Sequence, residues 1–318
     1  MKVVIPGGTG QVGTILARAF NNAGYEVVVL SRRTKPLPWR VVTWDAKTLG
    51  SWASEIDGAN VVINLAGYNV NCRYHQKNRQ LIKNSRIEST RILGEAIACV
   101  SSPPSVWLQA STATIYAHRY DAPNDERDGI LGGSEPNAPD TWRFSIDVAK
   151  SWEHALNEAV VPHYTRKILL RSAMIMSPDR GGVFDTLLGL TRHGLGGRAG
   201  DGKQYVSWIH DQDFIRAIFW ILEREDIKGH INLSSPNPLT NADFMRILRE
   251  AWGIRIGVPA SNLMLEIGAI FIRTETELIL KSRRVIPGKL QELGFDFHFP
   301  RWAEAARDLC QRWREKHN

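Results

Sequence analysis

The chain opens on an apolar run, Val3-Val4-Ile5, that Pro6-Gly7-Gly8 ends. Beyond it Val12, Ile15, Leu16, Ala19 and Phe20 recur at helical spacing, which predicts an amphipathic helix over Val12–Ala23. Val27, Val28 and Val29 stand in a row, so Glu26–Leu30 reads as a strand covered on both faces, as in a parallel sheet. Arg40–Thr43 and Asn60–Leu65 read the same way. A long helical pattern over Asn78–Val100 follows, then a strand at Ser105–Gln109, a helix at Phe144–Ala159 and a strand at Tyr164–Leu170. Alternation of this kind predicts an α/β fold with a Rossmann-type, doubly wound parallel sheet.

After Arg171 the rhythm loosens. Gly181–Gly182 and Gly194–Gly202 are glycine-dense loops, followed by a strand at Val206–Ile209, a helix at Asp211–Glu223 and a strand at His230–Leu233. From about Asn241 the chain reads as mostly helical. The expected division is a dinucleotide-binding domain over 1–171 with about 205–235, and a smaller, mostly helical substrate domain over 172–204 and 236–318. The stretch Asp121–Thr141, rich in Pro, Gly, Asn and Asp, reads as a long loop and as a mobile cover over a site.

Composition narrows the class. Of 318 residues, 43% are hydrophobic and 23% charged, an ordinary balance for a globular protein with a real core. The net charge of +7 is spread out, its densest pairs being Arg32–Arg33 and Arg283–Arg284. Attraction for a phosphorylated small molecule accounts for that bias without a nucleic-acid partner. Three scattered cysteines without CxxC point to a reduced, cytoplasmic protein with neither disulfides nor zinc. His75, His118 and His193 have no ligand spacing, so no metal is expected. The longest apolar stretch, Leu263–Ile272, is short and holds Glu266, so no membrane span is expected.

The chemistry begins at Gly7-Gly8-Thr9-Gly10-Gln11-Val12-Gly13, which satisfies GxGxxG through Gly8, Gly10 and Gly13. A strand precedes it and a helix follows, the context that a dinucleotide-binding loop requires. The helix N-terminus offers free N–H groups and partial positive charge to phosphates. At the end of the second strand stands Ser31-Arg32-Arg33, where an NAD-specific loop would place a carboxylate. Guanidinium groups there can hold a 2′-phosphate, so NADP(H) is the expected cofactor, against an exposed arginine pair as the plain alternative.

Together with further blocks these residues resemble the extended short-chain dehydrogenase/reductases of the NAD(P)-dependent epimerase/dehydratase superfamily. Asn64-Leu65-Ala66-Gly67 is similar to the NxAG turn behind the adenine pocket, and Asp45 to the acidic residue that meets adenine. Ser111-Thr112-Ala113-Thr114-Ile115-Tyr116 is similar to the SSATVY strand end, which implies that Thr112 fills the catalytic Ser/Thr slot and Ser111 adjoins the cofactor. Trp208–Asp213, Asn232–Pro238 and the tail Ser282–Pro287 resemble one subgroup, atypical members classed with nucleoside-diphosphate-sugar epimerases that end in a domain of unknown function. The resemblance spans nearly the whole chain. It implies a small-molecule substrate, with nucleotide-linked compounds among the candidates, and by analogy a homodimer through the long helices.

One departure matters. Typical members carry YxxxK on the helix after the Ser/Thr strand. Alignment on Glu153 puts Ser145 in the tyrosine slot and Ala149 in the lysine slot, while Lys150 lies one residue off, turned by about 100°. Tyr116 is the nearest substitute acid, or else a ring packed under the nicotinamide. His210 reads as an acid/base or a buried strand-end histidine, and Arg171 as a contact to substrate phosphate or a structural ion pair. Lys83 and Arg86 read as a solvated helix face. The expected function is an NADP(H)-dependent oxidoreductase or epimerase with an atypical site. The alternative is a non-catalytic NADPH-binding sensor or regulator.

Overall fold

The computed structural model describes residues 1–136, 138–261, 264 and 275–317. The first half alternates as the pattern predicts: β1 (Lys2–Pro6), α1 (Gln11–Asn22), β2 (Glu26–Ser31), β3 (Arg40–Thr43), β4 (Val61–Asn64), α2 (Gln76–Cys99), β5 (Val106–Thr112), α3 (Asp140–Glu158) and β6 (Arg166–Ser172). Then follow β7 (Met174–Met176), α4 (Val183–Arg192), β8 (Tyr205–Val206), β9 (Trp208–His210), α5 (Asp211–Glu223), β10 (Gly229–Leu233), β11 (Leu239–Thr240) and α6 (Asn241–Trp252). The C-terminal elements are α7 (Glu277–Leu280), α8 (Gly288–Glu292) and α9 (Trp302–His317). The apolar run Leu263–Ile272 lies outside the described residues, Met264 apart. No helix among the described residues is long and apolar enough to cross a membrane.

Seven strands form one parallel sheet in the order β10-β6-β5-β4-β1-β2-β3. The order reverses between β1 and β4, so the loops that follow these two strands part and leave a crevice at their carboxyl ends. Both faces of the sheet are covered. Leu16, Ala17 and Phe20 of α1 pack with Phe214 and Ile218 of α5 on one side, while Ile92, Leu93 and Ile97 of α2 pack with Trp107 and Trp52 on the other. That double cover explains the uninterrupted valine runs. A third apolar cluster gathers Phe184 of α4, Phe244 and Leu248 of α6, and Trp302 and Leu309 of α9 around Trp208.

The predicted mobile cover is bound to the body instead. Asn124 is fully buried; its N–H donates to Arg284 O at 2.7 Å and its carbonyl accepts from Ile286 N at 3.0 Å. Glu126 accepts from Asn232 N at 2.7 Å and from Lys289 N at 3.2 Å. Composition marked this segment as irregular, but irregular backbone can still be fully hydrogen-bonded, here to a strap more than a hundred residues later. The last part of the stretch is helical, since α3 begins at Asp140 behind Pro139.

One buried pair clamps α3 to the sheet. Arg171 donates from Nε and Nη2 to the two carboxylate oxygens of Glu153, each at 2.8 Å, and both residues are 6% exposed. Replacing Glu153 by Ala strands a buried guanidinium, so Glu153→Ala should lower unfolding stability by about 3–5 kcal/mol. The joint replacement of Glu153 and Arg171 by Met should lose much less. Urea denaturation checks both, and equal losses in the two variants would contradict the pairing.

Candidate functional site

The crevice between β1 and β4 is shaped by close backbone approach. Gly7 has φ 78°, and a Cβ there would stand 2.8 Å from Ala66 Cα. A Cβ on Gly13 would stand 2.6 Å from the carbonyl carbon of Gly8. Glycine at both places lets α1 press against the loop and lets the loop press against the turn after β4. Gly10 is different: a Cβ would meet only Gly7 O, at 3.7 Å, so its outer face is open. Gly10 is also the residue before α1, and no side chain caps that helix. First-turn N–H groups therefore face the crevice without a partner among the described residues, ready for an anion.

The sequence-predicted cofactor residues converge here. Gln11, Val12, Leu65, Ser111, Ser172 and Met174 line a cleft of ≈ 360 Å³. Gln11 Nε2 is buried and has no hydrogen-bond partner among the described residues. A buried amide without a partner is costly, and a bound polar group would satisfy it. Ser31 sits at the end of β2, its hydroxyl 3.3 Å from Thr9 Oγ1 and accepting from Arg33 N at 3.3 Å. Arg32 and Arg33 are exposed. Arg32 and Asp45 line one further cleft of ≈ 610 Å³ with Thr48 and Trp52. Asp45 accepts from Lys47 N, Thr48 N and Thr48 Oγ1, which lowers its pKa to about 2 and keeps it anionic. Ala66 N donates to Asn64 Oδ1 at 3.1 Å, holding the Leu65-Ala66-Gly67 turn. The crevice thus has a free amide-bearing end, a cationic end and an unsatisfied buried amide between walls of the sheet. A dinucleotide with a phosphorylated ribose fits that donor set.

The end of the crevice around Thr112 holds less of what the sequence led us to expect. Thr112 is half-buried at the end of β5, its hydroxyl accepting from Thr114 N at 3.2 Å. Ser111 turns its hydroxyl to Glu153 Oε1 at 2.6 Å, so its side chain serves the Arg171 clamp. Tyr116 is 2% exposed; its hydroxyl donates to Asn232 Oδ1 and accepts from Arg171 Nη1, both at 2.9 Å. Both hydrogen-bonding capacities are filled inside the protein, which takes Tyr116 away from the role of substitute acid. Arg171 is a structural ion pair. His210 is fully buried, with Nε2 2.9 Å from Asp308 Oδ2 and Nδ1 accepting from Gln212 N at 3.2 Å, so it caps α5.

Tyr74, Glu277 and Lys281, which the sequence reading passed over, gather with Ser145 and Arg283 around the missing dyad. Ser145 donates to Glu277 Oε2 at 3.2 Å and hydrogen-bonds the Tyr74 hydroxyl. Arg283 pairs with Glu277 at 2.6 Å and donates to Thr114 Oγ1 at 3.0 Å. Lys281 is 1% exposed and donates to Thr114 O at 2.6 Å. The segment from α7 to Val285 therefore straps over the turn that follows Thr112. Burial, and the unfavourable charge of Arg283, lower the Lys281 pKa to about 7. Burial, with Glu277, raises that of Tyr74 and keeps its phenol protonated. The spacing of these residues carried no signal; only Arg283 lies in the Ser282–Pro287 tail that the resemblance marks.

Residues 3–234 match the family described as NAD dependent epimerase/dehydratase, and residues 262–309 match a domain of unknown function. The human epimerase family protein SDR39U1 is 31% identical over 313 residues, covering 97% of this chain and 99% of that protein. The crystal structure of human SDR39U1 (isoform 2) with NADPH superposes with a TM-score of 0.84 at 28% identity, covering 98% of this chain and 99% of the other. The nucleoside-diphosphate sugar epimerase from Corynebacterium glutamicum is similar with a TM-score of 0.74 at 27% identity, over 98% of this chain and 58% of that one.

Lys281 gives a pH signature. Its folded pKa lies below its ordinary value, so between about 7 and the ordinary range the unfolded chain binds a proton that the folded chain does not. Stability from this group therefore rises with pH across that window and is lowest below it. In thermal melts, the Tm of Lys281→Met relative to the parent should fall as pH goes from about 7 to about 10. A difference that stays constant would show that Lys281 remains charged in the fold.

Proposed function

The chain belongs to the NAD dependent epimerase/dehydratase family, and from that premise we propose that it is an NADP(H)-dependent oxidoreductase or epimerase. The observation that carries the cofactor half is the exposed Arg32–Arg33 pair at the end of β2, beside an uncapped α1 N-terminus and the open face of Gly10. NADPH bound to the human relative supports the same reading. Under it, 1–171 with about 205–235 holds the cofactor and the remainder meets the substrate. A cytoplasmic setting fits three free cysteines.

When bound, NADP(H) supplies or accepts the hydride. The protein's own part is positioning and proton supply. Thr112, half-buried at its strand end, offers a hydroxyl to a substrate oxygen. Tyr74, protonated and joined to Ser145, is the phenol nearest the vacated tyrosine slot and is the proposed proton donor to that oxygen. Glu277 and Arg283 hold Ser145 and Thr114 around it. Cationic groups at this end suit an anionic, nucleotide-linked substrate.

A second reading, an NADPH-binding regulator without turnover, is favoured by Ser145 and Ala149 in the dyad slots. NADPH oxidation followed across carbonyls and sugar nucleotides separates the two, since the regulator binds and does not oxidise. Where turnover is found, Thr112→Val should lower it by about 10²-fold without changing NADPH affinity.

Calorimetric titration tests the cofactor half. The parent should bind NADPH more tightly than NADH. Arg32→Ala/Arg33→Ala should weaken NADPH by about tenfold or more and leave NADH unchanged, because charge-assisted bonds to the 2′-phosphate are lost. Tighter NADH binding by the parent would remove the NADP assignment.

A further inference from the structure

Arg86 is a cation without an anion. It stands on α2, where the helical pattern read as a solvated face, yet it is half-buried. Its Nη1 donates to Tyr68 O at 3.1 Å and to Ile82 O, four residues back on the same helix, at 2.9 Å. No carboxylate pairs with it among the described residues, and its Nε and Nη2 make no hydrogen bond there. Burial lowers its pKa to about 10. A guanidinium withdrawn from water without a counter-charge opposes folding. Helix propensity would be served as well by an uncharged residue.

Its surroundings point at the cofactor crevice. A Cβ on Gly67 would stand 3.1 Å from Arg86 Cζ, so the guanidinium lies against the turn whose Leu65 lines the first cleft. The neighbouring Ser85 accepts from Tyr68 N at 2.8 Å and ties α2 to that same turn. On its other side Arg86 covers the ring of Trp152 at 5.0 Å. Trp152 Nε1 is itself buried without a hydrogen-bond partner among the described residues. Trp152 is three residues past Ala149 and shares its face of α3. Ala149 fills the slot of the dyad lysine and presents only a methyl group, itself fully buried. A cation is therefore present at this wall of the crevice, but it enters from α2 and not from α3.

We propose that Arg86 is a cofactor-binding residue whose free guanidinium nitrogens hold the nicotinamide-ribose half of NADP(H), in place of the lysine that α3 lacks. The proposal rests on the cofactor reading above. A planar fork with two unused donors suits a pair of neighbouring hydroxyls or a phosphate oxygen. Arg32 and Arg33 would hold the adenosine end, so the two sites make separable contributions.

The experiment compares Arg86→Met, Arg86→Lys and the parent by melting without cofactor and by calorimetric titration. Arg86→Met should melt at or above the parent, because it removes an uncompensated charge. Its Kd for NADPH and for NADH should rise by the same factor, about tenfold or more. Its affinity for 2′,5′-ADP, which carries the adenosine end alone, should stay that of the parent. Arg86→Lys should recover part of the dinucleotide affinity. A lowered melting temperature together with parental affinity for both dinucleotides would make Arg86 a structural link and overturn the proposal. If Arg86→Met does not fold, Arg86→Lys decides: parental dinucleotide affinity overturns the proposal, and weakened affinity with parental 2′,5′-ADP binding sustains it. A parent that binds neither dinucleotide sinks the cofactor reading itself, and this proposal with it.

Discussion

The structure depends on how closely α1 can approach the loop before it. With hydrogen in place of a side chain at Gly13, helix and loop backbones meet at distances no Cβ would tolerate. That contact aims the helix axis at the crevice between β1 and β4 and leaves its first N–H groups facing outward, with Gly10 open beside them. The strand order supplies the other half, because the loops after β1 and β4 diverge where the winding reverses. Everything assigned to the cofactor follows from this pairing of a close contact with a topological gap. The exposed arginines at the end of β2 add positive charge beside a cradle that backbone geometry has already made.

The opposite end of the crevice is built on a different logic. In place of two side chains one turn apart on α3, it assembles groups from distant parts of the chain: Tyr74 ahead of α2, and Glu277, Lys281 and Arg283 from the C-terminal strap. These groups are coupled through Ser145 and Thr114, so this end of the crevice takes its shape from the strap. The strap is held in turn by Asn124 and by Glu126, the segment whose composition suggested a loose lid. The matched domain of unknown function thus contributes directly to the wall around Thr112, beyond covering it.

What was legible in the chain was local. Valine runs and helical spacing gave β1, α1, β2 and the long α2, and the glycine loop carried its own context. Asp45, Leu65, Ala66 and Gly67 were singled out by resemblance, and each adjoins the crevice or the cleft beside it. What was not legible depends on partners far away. Tyr116 follows the Thr112 strand end and so looked catalytic. With Ser111 set opposite Arg171 by the strand register, the Tyr116 hydroxyl turns toward Arg171 and Asn232 instead. Arg86 looked solvated because α2 shows a weakly sorted face; only the packing of α2 on α3 and on the Gly67 turn takes it from water. Contacts spanning 132 to 169 residues, such as Ser145 with Glu277 and Thr114 with Arg283, leave no periodic trace.

The central claim is that a dinucleotide lies across the first crossover with its phosphates on the α1 N-terminus. Amide chemical-shift mapping of the isotopically labelled chain, titrated with NADPH, tests it most directly. The account predicts the largest shifts at Gly8–Gly13, at Ser31–Arg33 and at Leu65–Gly67, with little change in α6 and α9. Saturable shifts confined to other surfaces, or none at millimolar NADPH, would contradict it.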